Sequence, residues 1–243
     1  MRLCANTVKR LSLELGGNSP FIIFNDADVD LAVAGIMSSK FRNAGQTCIS
    51  ANRILIQSEI HDCVVDRLGG AIRGLKVGNG ADPDTDIGPL ISAPAAENVR
   101  QQIADALANG GHIAAQASLP GDRTAFVAPT LITNAAISMR LAQEEIFGPV
   151  AAILKFDDEA EAVGLANDTP AGLAAYFYTS NANRSWRVAE ALEYGMIGLN
   201  TGAISTELAP FGGVKQSGFG REGGREGIDE FLQSKSLHWS GIS

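Results

Sequence analysis

Few residues in the chain have side chains able to do covalent chemistry. Cys48 closes the run Phe41-Arg42-Asn43-Ala44-Gly45-Gln46-Thr47-Cys48. A free cysteine is by default a small buried hydrophobe, but this run is polar, contains a glycine and follows a helical stretch. It predicts a loop with unpaired backbone N–H groups, which lower a thiol pKa and can hold an oxyanion. Cys48 is therefore the expected reactive thiol, ahead of Cys4 and Cys63, which lie in stretches of helical character. Glu14 stands 34 residues before it, in the alternating run LSLEL. Its plain reading is a solvated carboxylate on an exposed strand face. Gly16-Gly17 ends that strand in a turn, and strand ends are where α/β folds build sites. Beside an apolar strand a carboxylate can act as a base at neutral pH. Glu145 and Phe147 flank Ile146 before the rigid turn Gly148-Pro149, a helix end with exposed acids by default. Arg42 is either a surface charge or a cation placed across a pocket from Cys48, and Pro210-Phe211-Gly212-Gly213 is a turn by default.

The elements that must position these residues follow from periodicity. Strands are predicted over 11–15, 53–57, 112–115, 150–156, 173–178 and 196–200, where apolar and β-branched residues run together or alternate. Helices are predicted from an Asp26 or Asp28 cap to about Phe41, over 60–75 and 95–108, from Asp157-Asp158 toward Asn167, and over 184–192. Residues 78–89 read as a loop by their Gly, Pro and Asp content. The tail is expected to be helical over 228–234 and an exposed strand over 236–239. Strands alternating with helices predict an α/β fold with a mostly parallel sheet. Gly218-Phe219-Gly220-Arg221-Glu222-Gly223 fits G-x-G-x-x-G, but no apolar strand precedes it and no room for a crossover follows, so it is not read as a dinucleotide site.

Composition sets bounds on function. The 243 residues are 45% hydrophobic and 19% charged, which excludes a disordered chain. With 19 basic against 27 acidic residues and no basic stripe, nucleic acid is not an expected partner. No apolar run reaches the ~20 residues of a membrane span, and the first residues lack a signal-peptide core. Three cysteines without a C-x-x-C pair suit a reducing compartment, here taken as the cytoplasm. His61, His112 and His238 stand far apart, so no metal site is expected.

Taken together, these segments resemble the aldehyde dehydrogenase superfamily, and within it most closely the succinate-semialdehyde dehydrogenases. The resemblance is carried by Leu13-Glu14-Leu15-Gly16-Gly17-Asn18, by Lys40 to Cys48, by Glu145-Ile146-Phe147-Gly148-Pro149, and by Asn200-Thr201-Gly202-Ala203-Ile204-Ser205 with 210–213. It covers nearly the whole chain. It implies the three-layer α/β catalytic domain of that superfamily over 16–216, a remnant of the Rossmann-like cofactor domain over 1–15, and a C-terminal helix and oligomerisation strand over 217–243. It implies Cys48 as nucleophile and Glu14 as general base, with Leu15, Glu145 and Phe147 toward the cofactor. Arg42, Ser205 and Phe211 would face the substrate, Arg42 and Ser205 holding a distal carboxylate.

The implied reaction is oxidation of a short carboxylate-bearing aldehyde through a cysteine thioester, with NAD or NADP as oxidant and NADP slightly favoured. The implied assembly is a homo-oligomer. Relatives carry a phosphate-binding turn, a cofactor lysine and an oxyanion asparagine in an upstream domain, so this chain alone is expected to bind NAD(P) weakly and to be inactive or partner-dependent. Ser50 stands where some relatives have a second, redox-sensitive cysteine. A cysteine hydrolase built on Cys48 and a histidine is the remaining alternative, and no histidine lies in a site-like segment.

Overall fold

The computed structural model describes residues 1–119, 121 and 124–241. In chain order the strands are β1 (Leu13–Glu14), β2 (Ser19–Ile23), β3 (Ala51–Gln57), β4 (His112–Gln116), β5 (Thr130–Thr133), β6 (Val150–Phe156), β7 (Ala174–Tyr178), β8 (Met196–Leu199) and β9 (Gly218–Phe219). The α-helices are α1 (Val29–Lys40), α2 (His61–Arg73), α3 (Ala93–Ala108), α4 (Arg140–Gln143), α5 (Glu159–Asn167) and α6 (Ala182–Ala191). Seven strands form one sheet in the order β4-β5-β6-β3-β2-β7-β8, and β1 pairs with β9 in a separate ribbon. Every pairing in the large sheet is parallel except that of the edge strand β4 with β5.

A parallel sheet must be covered on both faces, and the strand sequences supply two cores. Phe21 and Ile23 of β2 join the core that holds Ile36 of α1, Leu68 of α2 and Ala96 of α3. Ile22 and the following Phe24 point the other way, to Ala162 of α5 and Val188 of α6. The result is the expected three-layer α/β architecture. Helix starts are fixed locally: Asp28 accepts the Leu31 N–H at 3.0 Å, and Ser92, Asp158 and Asn181 cap α3, α5 and α6 in the same way. Asp28, not Asp26, is thus the α1 cap. Asp26 instead accepts from Thr179 and Ser180 and pairs with Arg184 at 2.7 Å.

Several elements differ from their predicted form. The 11–15 strand shrinks to Leu13–Glu14, because its only partner is the two-residue β9. β2 and β5 were not predicted. Residues 226–231 form a 3₁₀ helix, and 236–239 are exposed without regular structure in the single chain. The glycines of 218–223 serve the ribbon: Gly218 lies opposite Glu14, with φ +119°, and a Cβ there would collide with the Leu13 carbonyl.

The site is placed by one feature of this topology. The segments Gly16–Asn18, Cys48–Ser50 and Glu145–Pro149 each lead directly into a strand, β2, β3 and β6 respectively. These three strands are neighbours and parallel, so all three segments lie at the amino ends of the sheet. Ligand sites in open α/β sheets generally lie at the carboxyl ends, so that rule, used above to single out Glu14, does not describe this molecule.

Candidate active site

The loop carrying Cys48 is tightly turned. Asn43, Ala44 and Gly45 all have positive φ, at 51°, 55° and 76°. Non-glycine residues pay steric strain there, and such strain persists where surrounding contacts over-determine it. Here the Asn43 amide donates to the Gln46 carbonyl at 3.0 Å, and Gln46 Oε1 accepts the Ile91 N–H at 2.8 Å. Gly45 is needed because a Cβ would strike the Gly148 carbonyl, which sets the nucleophile loop back to back with the Gly148-Pro149 turn. Beyond Cys48, the Tyr176 hydroxyl donates to the Ile49 carbonyl at 2.7 Å.

Gly17 joins the other two segments. Its N–H donates to Glu145 Oε1 at 3.2 Å, and a Cβ on it would run into the Cys48 carbonyl oxygen. A Cβ on Gly16 would come within 2.6 Å of Glu145 Oε2. Gly17 is therefore required for close approach to the Cys48 backbone, while at Gly16 a side chain would displace the Glu145 carboxylate. Ser217 closes the far side, donating through Oγ to the Gly16 carbonyl at 2.8 Å and accepting the Leu15 N–H on its own carbonyl at 3.0 Å.

The electrostatics correct one expectation. The Cys48 thiol is not acidified. Burial, then hydrogen bonding and repulsion from Glu14, then repulsion from Glu145 push its pKa up to about 12. The predicted favourable term exists, since the backbone N–H of Cys48 favours its thiolate, but it is the smallest of the causes and is outweighed. Cys48 rests as a half-buried neutral thiol facing the Glu14 carboxylate, whereas Cys63 is the exposed cysteine, with Arg67 beside it. At rest, Cys63 is expected to be alkylated before Cys48, the reverse of the sequence-based expectation. No histidine is among the groups acting on Cys48.

Burial raises the pKa of Glu145, against the Gly17 N–H and the charge of Lys40, which favour its carboxylate. Lys40 was missed as a charge partner of the site. It is fully buried at the end of α1, its Nζ has no hydrogen-bond partner among the described residues, and burial lowers its pKa to about 7 against the pull of Glu145. Its position one turn after the buried Ile36, on the inward face of α1, is the signal that marks it.

Two of the residues expected on the cofactor side, Phe147 and Leu15, line separate hollows. Phe147 is strained at φ 51° and leaves 42% of its surface exposed. It lines an open cleft of about 400 Å³ with Asn43, Gln46, Pro89 and Ile91. Leu15 is exposed beside Leu13 and Phe219 in a second, mostly apolar hollow of about 540 Å³. The substrate-side residues are also dispersed. Arg42 shares a narrow cleft with Thr47, Tyr176, Gly202 and Ala203. Ser205 is exposed two residues beyond that lining. The half-buried Phe211 exchanges backbone hydrogen bonds with Glu222 at 2.6 and 2.7 Å and packs on the core. Asn200 does not present its amide to a substrate, because that amide is taken up by the Thr179 backbone at 3.0 and 2.9 Å.

A family profile described as "Aldehyde dehydrogenase family" matches residues 1–237. The chain belongs to the aldehyde dehydrogenase family. It is 52% identical over 242 residues to "Probable succinate-semialdehyde dehydrogenase [NADP(+)]" of Sinorhizobium fredii, covering 100% of this chain and 49% of that protein. It is 50% identical over 239 residues to the "3-sulfolactaldehyde dehydrogenase" of Pseudomonas putida, covering 98% of this chain and 49% of that one. Among solved structures, an aldehyde dehydrogenase from Brucella melitensis biovar abortus 2308 superposes with a TM-score of 0.94 at 52% identity, covering 97% of this chain and 48% of the other. The chain spans about half the length of the curated relatives it matches.

Proposed function

We propose that this site oxidises a short carboxylate-bearing aldehyde, succinate semialdehyde, to its acid through a thioester on Cys48. The observation that carries this reading is the juxtaposition of the Cys48 thiol with the Glu14 carboxylate, in hydrogen-bond contact at the amino ends of β2 and β3. Glu14 takes the thiol proton as the sulfur attacks the aldehyde carbon. The Cys48 backbone N–H steadies the oxygen that becomes negative. Glu14 gives that proton up to solvent and then removes one from water; the water oxygen displaces the sulfur, and Glu14 returns its proton to the departing sulfur, releasing the acid and the thiol. The oxidising power, acceptance of the aldehyde hydrogen as hydride, is what a bound nicotinamide supplies.

The residues present fit the nicotinamide side of such a dinucleotide. Glu145, backed by Gly16 and anchored on Gly17, offers a held carboxylate to ribose hydroxyls. Phe147 offers an exposed ring face, and Leu15 an exposed apolar neighbour. The name of the S. fredii relative supports NADP as the dinucleotide and succinate semialdehyde as the aldehyde. Arg42 is assigned to the substrate carboxylate, since a guanidinium matches it bidentately.

Protection of Cys48 tests the reading without a cofactor. Succinate semialdehyde is expected to slow mass-mapped alkylation of Cys48, and Arg42→Ala to weaken that protection about 10- to 150-fold, the loss of one hydrogen bond to a charged group. An uncharged aldehyde of the same length should protect both forms alike. Equal losses for both aldehydes would remove the carboxylate pocket, and no protection by either would remove the Cys48 reading.

The proposal extends to self-association. Leu15, Phe219, Phe231, Leu237 and Trp239 all leave apolar surface exposed, Phe231 and Leu237 by 78% each. Apolar patches of this kind mark interaction surfaces. Light scattering should find an assembly larger than one chain, and a clean monomer at high concentration would count against it. Among the described residues no helix is long and apolar enough to cross a membrane.

A further inference from the structure

The backbone on either side of Glu145 is hydrogen-bonded by two buried amides that the proposed chemistry does not use. α4 is only four residues long, so its last carbonyls have no partners within the helix. Asn52, the second residue of β3, donates through Nδ2 toward the Leu141 carbonyl at 3.2 Å and the Glu144 carbonyl at 3.0 Å. Its Oδ1 accepts the Ile146 N–H at 3.0 Å. Asn18, just before β2, donates to the Ala142 carbonyl at 2.9 Å and accepts from Asn52 Nδ2 at 2.7 Å. The two side chains are 4% and 2% exposed, Asn18 and Asn52 in that order. Gln102 of α3 adds a long contact to the Glu145 carbonyl at 3.5 Å. The backbone on both sides of Glu145 is thus gripped by residues placed immediately after Gly17 and four after Cys48.

We propose that Asn52 and Asn18 are positioning residues that lock the Glu145 segment against the Cys48 loop, fixing the distance between the Glu145 carboxylate and the nucleophile. This rests on the reading of Cys48 as nucleophile and Glu145 as a cofactor contact. Without the Asn52 amide, the Leu141 and Glu144 carbonyls and the Ile146 N–H lose their common partner. The Gly17–Glu145 hydrogen bond, Asn18 on the Ala142 carbonyl and the long Gln102 contact then have to hold the segment near Cys48.

The test is mass-mapped alkylation of Cys48 in a Cys63→Ser background, with Asn52→Ala, Glu145→Gln and the double variant. It needs neither cofactor nor turnover, so loss of aldehyde oxidation would leave it readable. Asn52→Ala is expected to speed Cys48 alkylation about three- to tenfold by withdrawing a repelling carboxylate. Glu145→Gln is expected to do the same, and the double variant to go no faster than Glu145→Gln alone. A lowered melting temperature with unchanged alkylation would mean that Asn52 is only a helix cap, and additive effects would mean that it acts on Cys48 by another route. Either result overturns the proposal. If Asn52→Ala does not fold, Asn18→Ala enters the same scheme with a smaller expected gain. Hydrogen exchange on the unsubstituted chain needs no variant: the Ile146 N–H must be protected as well as the β6 amides, and fast exchange there overturns the proposal.

Discussion

Cys48 and Glu14, the two halves of the proposed catalytic pair, are held in very different ways. Cys48 leads into β3, the central strand of the seven, where every residue is buried. Its neighbourhood is pinned by Arg53, a fully buried guanidinium that donates to the Asn18, Leu165 and Ala166 carbonyls at 2.6 to 3.3 Å and to the Tyr194 hydroxyl at 3.0 Å. Glu14 sits on an exposed two-residue strand whose only partner is β9. Cys48 therefore adjoins the fully buried centre of the sheet, and Glu14 a short, sparsely paired ribbon. The difference teaches that stability and Cys48 chemistry should respond to different substitutions.

The largest break in that comparison comes from Arg53→Ala. It leaves several buried carbonyls without donors, so urea unfolding should show a loss on the order of 3–5 kcal/mol. A loss below about 1 kcal/mol would mean that the β3 side is no better anchored than the ribbon.

Lys40 sharpens the comparison from the opposite direction. Its folded pKa, about 7, lies below the ordinary 10.5, so between these values the unfolded chain binds more protons. Stability should therefore rise with pH across that window, the cost of burying the ammonium being full below it and relieved above it. Lys40→Met should remove this slope and stabilise the chain at neutral pH by on the order of 1–4 kcal/mol. Unchanged pH dependence would show that Lys40 is not a buried charge in the folded chain.

The smallest expected effect on stability is that of Glu14→Gln, within about 0.5 kcal/mol, as for exposed positions generally. Its effect on Cys48 should nevertheless be plain, because a hydrogen-bonded, repelling carboxylate is removed from the thiol. Alkylation of Cys48 should speed up about tenfold or more at a fixed mildly alkaline pH, while release of a preformed acyl group from Cys48 should slow.

Much of this was legible in the sequence, and the gaps have physical causes. VAAILKF announced β6, and the alternation of strands and helices announced a parallel sheet with both faces covered. β2 was hidden by Pro20, which normally argues against a central strand. It is accommodated at the strand's start, where the pairing with β3 shifts register between Ser19 and Pro20. β5 is too short, at TLIT, to show a period. Cys48, Glu14 and Glu145 could be singled out because their neighbours, glycines above all, are dictated by close backbone approach. Asn18 and Asn52 could not, because their partners lie on segments distant in sequence, and Lys40 was marked only by its helical spacing from Ile36. The direction of the Cys48 shift was misjudged for the same reason: the local N–H was visible in the loop, and the two carboxylates facing it were set by the fold.

On this account Cys48 rests as a protonated thiol, and the facing Glu14 carboxylate helps to keep it so. The most direct measurement is the pH dependence of mass-mapped Cys48 alkylation in the unmodified chain and in Glu14→Gln. The rate should climb about tenfold per pH unit through the mildly alkaline range without levelling off, and the Glu14→Gln curve should lie at lower pH. A plateau already reached near neutral pH, or identical curves for the two proteins, would contradict it.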